Sequence, residues 1–187
     1  TFAQGTTTVL WTATDGSGNT VTCTFDVIVS DTEVPVISGC VSDISVNNDN
    51  GDCGAIVTWL PPTYTDNCGA TMTSTHNSGD YFPVGTTTVT YTVIDDADNV
   101  SVCIFDVIIT DNELPQLTCN SNIASCDSFV VFNAPTVSDN CGIVSVTQTS
   151  GFPSGTFYPV GTTTVTFEAL DVNGNTNTCS FDVTIHP

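Results

Sequence analysis

The string Gly-Thr-Thr-Thr-Val occurs at residues 5–9, 85–89 and 161–165, and this recurrence constrains the chain more than any other feature. The copies start 80 and 76 residues apart (85 minus 5, 161 minus 85). Each is followed by a strand pattern and then a tight-turn signal: Asp15-Gly-Ser-Gly18-Asn19, Asp95-Asp-Ala-Asp98-Asn99 and Asp171-Val-Asn-Gly174-Asn175. Each then reads Cys-x-Phe-Asp-Val, at Cys23, Cys103 and Cys179. The first two copies run into a proline linker, Asp31-Thr-Glu33-Val-Pro35 and Asp111-Asn-Glu113-Leu-Pro115. Self-similarity at a fixed period is the mark of a tandem array, in which each unit leans on its neighbours. The expected boundaries are the C-terminal part of a first repeat at 1–32, a full repeat at 33–112 and another at 113–187. Because the chain begins inside a strand pattern, it reads as part of something longer.

Within a repeat the apolar residues alternate. Val89, Tyr91 and Val93 interleave with Thr88, Thr90 and Thr92, which is the period of a strand with one buried face. Cys103, Phe105, Val107 and Ile109 share one parity, as do Cys53, Ala55, Val57 and Trp59. Thr and Val, the dominant residues, favour strands, and no segment carries the capping signals of an amphipathic helix. About 80 residues of short strands separated by Gly, Asn and Pro predict an all-β chain of tandem immunoglobulin-like β-sandwich repeats. Trp11 and Trp59 lie in the apolar phase of their strands and are expected in cores.

Charge removes whole classes of function. The 187 residues include no Lys or Arg but 20 Asp and Glu, for a net charge of −20. Phosphate backbones and anionic membranes need cationic side chains, so nucleic-acid and lipid-surface partners are excluded. No apolar run approaches the length of a membrane span, so membrane insertion is not expected. Nine Cys in an acidic, turn-rich chain, without paired C-x-x-C spacings, point to disulfides and an extracellular or cell-surface location.

Further landmarks recur once per full repeat. Asp66-Asn67-Cys68-Gly69 matches Asp139-Asn140-Cys141-Gly142, and Phe82-Pro83-Val84 matches Tyr158-Pro159-Val160. Taken with Gly-Thr-Thr-Thr-Val, the Asp-x-x-Gly-Asn turn and the Asp-x-Glu-x-Pro linker, these motifs resemble the HYR domain (the hyalin repeat), and they cover nearly the whole chain. The arrangement is also similar to the long HYR arrays of secreted surface proteins and gliding adhesins of Bacteroidota. The resemblance implies an extracellular, multi-domain, adhesive or structural role. Two departures stand out: Asp98 replaces the turn glycine in the middle repeat, and the last repeat is shorter between Cys119 and Cys126, so its first hairpin must differ.

Four Cys per full repeat allow three connectivities. The favoured one joins Cys68–Cys103 and Cys141–Cys179, tying a loop to the last strand. Cys40–Cys53 and Cys119–Cys126 then close the first hairpin. Cys23, the counterpart of Cys103, is expected to pair outside this chain, in the front half of the first repeat; an intermolecular bridge is the alternative.

In an immunoglobulin-like domain the loop between the second and third strands and the hairpin joining the last two strands share the pole where the chain enters. That placement gathers Asp31, Glu33, Asp66, Asp95, Asp98 and Asn99 at one junction. It gathers Asp111, Glu113, Asp139, Asp171, Asn173 and Asn175 at the next. Carboxylates crowded together without a basic partner repel, increasingly so as water is excluded. Ca²⁺, with six to eight oxygen ligands in flexible geometry, suits such a set better than Mg²⁺. The competing explanation is that these Asp and Asn residues only shape turns. Asp26, Asp106 and Asp182 follow the inward Phe and are expected to face solvent.

No nucleophile elbow, metal-histidine motif or phosphate loop appears, and His76 and His186 lie far apart, so the chain does not read as an enzyme. The leading expectation is a calcium-stiffened, disulfide-stapled stalk or filament. Its partners would be neighbouring repeats, other copies, or surface glycans and proteins. The alternative is a glycan- or protein-binding module using loops 60–69 and 74–84, with Tyr64, Tyr81 and Tyr158 as the available aromatics.

Overall fold

The Thr/Val alternation produces strands throughout, and the computed structural model, which describes residues 1–187, contains no helix. Residues 1–32 hold one hairpin, β1 (Gly5–Thr14) and β2 (Thr20–Val29). The middle repeat runs β3 (Val36–Ser38), β4 (Ile44–Asn47), β5 (Gly54–Ile56), β6 (Thr63–Thr65), β7 (Ala70–Ser74), β8 (Tyr81–Pro83), β9 (Gly85–Asp95) and β10 (Val100–Thr110). The last repeat repeats this order as β11 (Gln116–Thr118), β12 (Ile123–Ser125), β13 (Phe129–Val130), β14 (Thr136–Ser138), β15 (Ile143–Ser150), β16 (Thr156–Phe157), β17 (Gly161–Asp171) and β18 (Thr176–Ile185).

The two full repeats share one topology. Four strands form one sheet, in the orders β4-β10-β9-β7 and β12-β18-β17-β15. Two short antiparallel pairs complete each repeat: β3 with β6 and β5 with β8, then β11 with β14 and β13 with β16. This is the expected sandwich architecture. The first two strands do not form a hairpin. The chain pairs antiparallel through β3, crosses over, and joins the other sheet through β4, which lies parallel to β10; β12 lies parallel to β18 in the same way.

By packing, the chain divides into two compact units. The first comprises Thr1–Ser42, Trp59–Ser78 and Thr88–Phe105; the second comprises Asp43–Thr58, Gly79–Thr87 and Asp106–Pro187. In the first unit, Val89, Tyr91, Val93, Cys103 and Phe105 are buried, as their parity predicts. Trp59 is half-buried, stands edge-on to Phe105 at 5.3 Å and donates its indole N–H to Tyr91 Oη at 2.8 Å, so it is a core residue. Trp11 departs from expectation. It is 63% exposed, because β1 and β2 form a two-stranded sheet with no facing layer in this chain.

In the second unit the core of the last repeat is Val130, Tyr158, Val165, Phe167, Phe181, Val183 and Ile185. Phe132 packs edge-on against Phe181 and Phe167. Asp26 and Asp182 accept hydrogen bonds from Thr8 and Thr164 across their hairpins, at 2.6 and 2.7 Å.

Three disulfides correct the expected connectivity. Cys40 pairs with Cys103, not Cys53; Cys119 pairs with Cys179, not Cys126; and Cys53 pairs with Cys141, in place of Cys141–Cys179. Cys68 is free, not joined to Cys103, and Cys23 and Cys126 are free as well. The strand switch is the physical reason. Cys40 and Cys119 sit where the chain crosses between sheets, and that crossing passes over the inward-facing Cys of the last strand. Cys53 stands instead at the end of the 49–52 turn, next to β5, and reaches the following repeat.

Candidate functional site: two carboxylate clusters

The Asp-x-x-Gly-Asn turns have one geometry in all three copies. In the second, Asp95 Oδ1 accepts the amides of Ala97 and Asn99, both at 2.8 Å, and Oδ2 accepts Asn99 Nδ2 at 2.7 Å. Asp171 takes Asn173, Asn175 and Asn175 Nδ2 in the same way, and Asp15 takes Ser17, Asn19 and Asn19 Nδ2. The fourth turn residue is left-handed, with φ +90° at Gly18, +94° at Gly174 and +66° at Asp98. Asp is among the few side chains that tolerate this region, so the middle turn survives its missing glycine.

These turns deliver buried carboxylates. Asp95 is 5% exposed and Asp171 only 1%. Burial acts to raise both, but hydrogen bonds outweigh it. The Asn side chain and backbone amides hold Asp95 and Asp171 below the ordinary carboxylate value.

Two further carboxylates join each one. Carboxylate oxygens of Asp31, Asp66 and Asp95 lie within 4.8 Å of one another in the first unit, and those of Asp111, Asp139 and Asp171 do so in the second. Each linker and loop carboxylate spends one oxygen on its own backbone. Asp31 Oδ1 accepts the Glu33 amide, Asp66 Oδ1 the Cys68 amide, and Asp139 Oδ1 the amides of Cys141 and Gly142. The second oxygens of Asp31, Asp66 and Asp139 are buried without a hydrogen-bond partner, as is Asn140 Oδ1. A buried, unpaired carboxylate oxygen is costly, and here three carboxylates converge with no Lys or Arg in the chain. The donor set is all oxygen, which fits a hard divalent cation. Opposed ligands around Ca²⁺ stand roughly 5 Å apart (twice about 2.3–2.6 Å), so the oxygen spread fits one ion.

Asn99 Nδ2 also approaches the Asp31 carbonyl at 3.5 Å, and Asn175 Nδ2 the Asp111 carbonyl at 3.4 Å. Asn173 Nδ2 donates to Asp111 Oδ2 at 2.6 Å. Glu33 and Asp98 are exposed and stand outside the first group. Glu113 is engaged elsewhere: Oε1 accepts Asn48 Nδ2 at 3.0 Å and the Gly51 amide at 2.6 Å, holding the 49–52 turn.

Asn140 lies beside the second group, although its sequence position alone does not mark it as a ligand. Its Nδ2 donates to the Asp52 carbonyl at 3.0 Å and to Asp111 Oδ1 at 3.3 Å. Its repetition beside Asp139, as in Asp66-Asn67, was the available signal. Tyr158 is 3% exposed and donates its hydroxyl to the Phe152 carbonyl, which removes it from the aromatics open to a ligand; Tyr64 and Tyr81 remain exposed.

Tandem all-β repeats carrying a recurrent acidic cluster and disulfides define an extracellular repeat segment, since such bridges persist in oxidising surroundings. The family model described as HYR domain matches residues 30–109 and 110–185, and the chain belongs to that family. It is 37% identical over 188 residues to hyalin of Strongylocentrotus purpuratus and 35% identical to hyalin of Lytechinus variegatus, with 93% of this chain covered in both. The chain spans 16% and 35% of those proteins' lengths. A rat sushi, von Willebrand factor type A, EGF and pentraxin domain-containing protein matches 58% of this chain at 39% identity, over 3% of its own length. Among solved structures, a protocadherin gamma B7 fragment of cadherin domains 1–4 aligns with 98% of this chain and 57% of its own, at 19% identity and a TM-score of 0.37.

Proposed function

We propose that this chain is part of an adhesive or structural stalk or filament, in which Ca²⁺ bound at Asp31/Asp66/Asp95 and at Asp111/Asp139/Asp171 stiffens successive repeats. The role is structural, not catalytic. The partners are neighbouring repeats, and beyond them other copies or surface glycans and proteins. The reading takes in both hyalin-like animal arrays and the bacterial gliding-adhesin arrays that the motifs resemble.

The observation that carries it is the set of buried carboxylate oxygens of Asp31, Asp66 and Asp139, each without a hydrogen-bond partner and each on a residue of one of the two clusters. Turn-shaping alone engages one oxygen of each residue and leaves the other unexplained. Asn99 and Asn175 complete the sets by amide carbonyl or by holding the central Asp.

Thermal unfolding with millimolar Ca²⁺ and with a chelator tests the reading. A ligand bound only by the native state, at about 100 times its Kd, adds about 2.7 kcal/mol per site. A clear rise in the midpoint is expected, reduced by Asp95→Asn and again by Asp171→Asn. Equal midpoints with Ca²⁺ and chelator overturn the calcium reading.

A further inference from the structure

The corrected disulfides follow a rule that also accounts for the free cysteines. Aligning the repeats on their motifs makes Cys40 equivalent to Cys119, Cys53 to Cys126, Cys68 to Cys141, and Cys103 to Cys179 and Cys23. The pair 40/103 is bonded, and so is its equivalent 119/179. The remaining bond, Cys53–Cys141, joins the turn cysteine of one repeat to the Asp-Asn-Cys-Gly cysteine of the next. Continuing the rule in either direction leaves three positions without a partner inside the chain. Cys23 needs the equivalent of Cys40, and Cys68 the equivalent of Cys53, and both of these would belong to a repeat preceding Thr1. Cys126 needs the equivalent of Cys141 in a following repeat. These three are the free cysteines, and all three are exposed, whereas Cys53 and Cys141 are each half-covered.

We propose that Cys68 and Cys126 are the two open ends of a head-to-tail disulfide ladder, each bonding an adjoining repeat of the same protein as Cys53 bonds Cys141. The local apparatus at the closed rung is informative. Asn140, preceding Cys141, donates to the carbonyl of Asp52, preceding Cys53, at 3.0 Å, so the two backbones are clamped beside the bridge. Asn67 precedes Cys68 in the same motif and is exposed, with that contact not made. The register is fixed by the repeat. The turn cysteine always belongs to the preceding repeat, so the ladder has one polarity and every internal junction carries one rung. Closing a rung joins two thiols into one disulfide and releases two protons and two electrons, accepted by a small-molecule disulfide such as oxidised glutathione, which becomes two thiols. The inference does not depend on calcium, only on the repeat and the observed bond.

The test extends the chain by one repeat, with residues 110–187 duplicated after Ile185, the register that places Cys179 of one repeat on Cys103 of another. Cys23→Ser and Cys68→Ser remove the other open thiols and prevent cross-linking between chains. The product is oxidised with glutathione, its thiols are counted under denaturation, and peptides are mapped without reduction. Mapping uses pepsin or a Glu-specific protease, because trypsin has no site. The added copy brings four cysteines, at its positions 119, 126, 141 and 179. The rule expects Cys126 joined to the second copy's Cys141 and a single thiol, the second copy's Cys126. Three thiols, or a bridge from Cys126 to any other cysteine, overturn it. The unextended chain supplies a second check that needs no new folding unit: its map must contain Cys53–Cys141, and absence of that bridge also overturns the proposal. Neither readout involves Ca²⁺, so failure here and failure of the calcium reading are separable.

Discussion

Asp98 and Asp95 lie three residues apart in one turn and do opposite work. Asp98 occupies a left-handed position, at φ +66°, where the other two turns have glycine. It stands outside the carboxylate group, whereas Asp95 is in it. Asp98→Gly relieves the backbone and removes one exposed negative charge, at some entropic cost, so it is expected to leave stability unchanged or raise it by up to about 1 kcal/mol. Urea unfolding checks this, and the same variant should keep its full response to Ca²⁺. Asn175 is the sharper probe, because its side chain donates to the nearly inaccessible Asp171 Oδ2 at 2.8 Å. Asn175→Ala leaves that oxygen unpaired and should cost about 1–3 kcal/mol. The pH dependence has a definite sign. Asp95 and Asp171 titrate below their ordinary value, so their contribution is present above the unfolded carboxylate pKa of about 3.9 and is lost as pH falls through the folded value. In Asn175→Ala the acid limb of the stability curve should move to higher pH. The cluster was legible at this scale because Asp and Asn recur at fixed offsets. The role of Glu113 was not, since nothing in the spacing places the 49–52 turn against the linker.

At the scale of elements, strand parity read correctly because a pleated strand has only two faces. Cys103, Phe105, Val107 and Ile109 are all buried. Cysteine pairing failed at the one place where parity says nothing: whether 36–47 folds back as a hairpin or crosses between sheets. A short strand, a Gly39-Cys40 break and a second short strand are compatible with both. The crossing decides the matter, since it brings Cys40 and Cys119 over Cys103 and Cys179. Replacing Cys119 and Cys179 together by Ala is expected to destabilise the last repeat by about 2–5 kcal/mol, given the 60-residue separation that the bond closes. Guanidinium unfolding of the double variant, compared with the parent, measures this. Replacing Cys53 and Cys141 should weaken the second unit while leaving the hydrophobic core of the last repeat intact.

For the whole molecule, a net charge of −20 without one Lys or Arg makes the folded chain sensitive to any cation. Diffuse repulsion is relieved by ionic strength alone, whereas converging buried oxygens respond to ion identity. If the clusters bind Ca²⁺, millimolar CaCl₂ should raise the unfolding midpoint well beyond NaCl of matched ionic strength, and MgCl₂ should fall between. Calorimetric scans in the three salts make the comparison, and coincidence of the CaCl₂ and NaCl curves would leave only screening. The repeat made the array legible from sequence, because three copies of one motif fix a period. The exposure of Trp11 was not legible, because strand parity states which side faces a layer and not whether that layer is in the chain.

The parallel pairing of β12 with β18 has a mechanical consequence. One strand lies near the start of the repeat and the other ends it, so tension applied at the two ends slides them along each other. All of their hydrogen bonds are loaded together instead of opening one at a time. The Cys119–Cys179 bridge lies across the same two ends and carries the load covalently. The residues it encloses, a separation of 60 in sequence, cannot be drawn out while it is intact. At about 3.4 Å per extended residue, that withholds roughly 200 Å of slack from the repeat. A tether built of such units should therefore stretch little before it breaks, and become long and compliant only when a reductant reaches it.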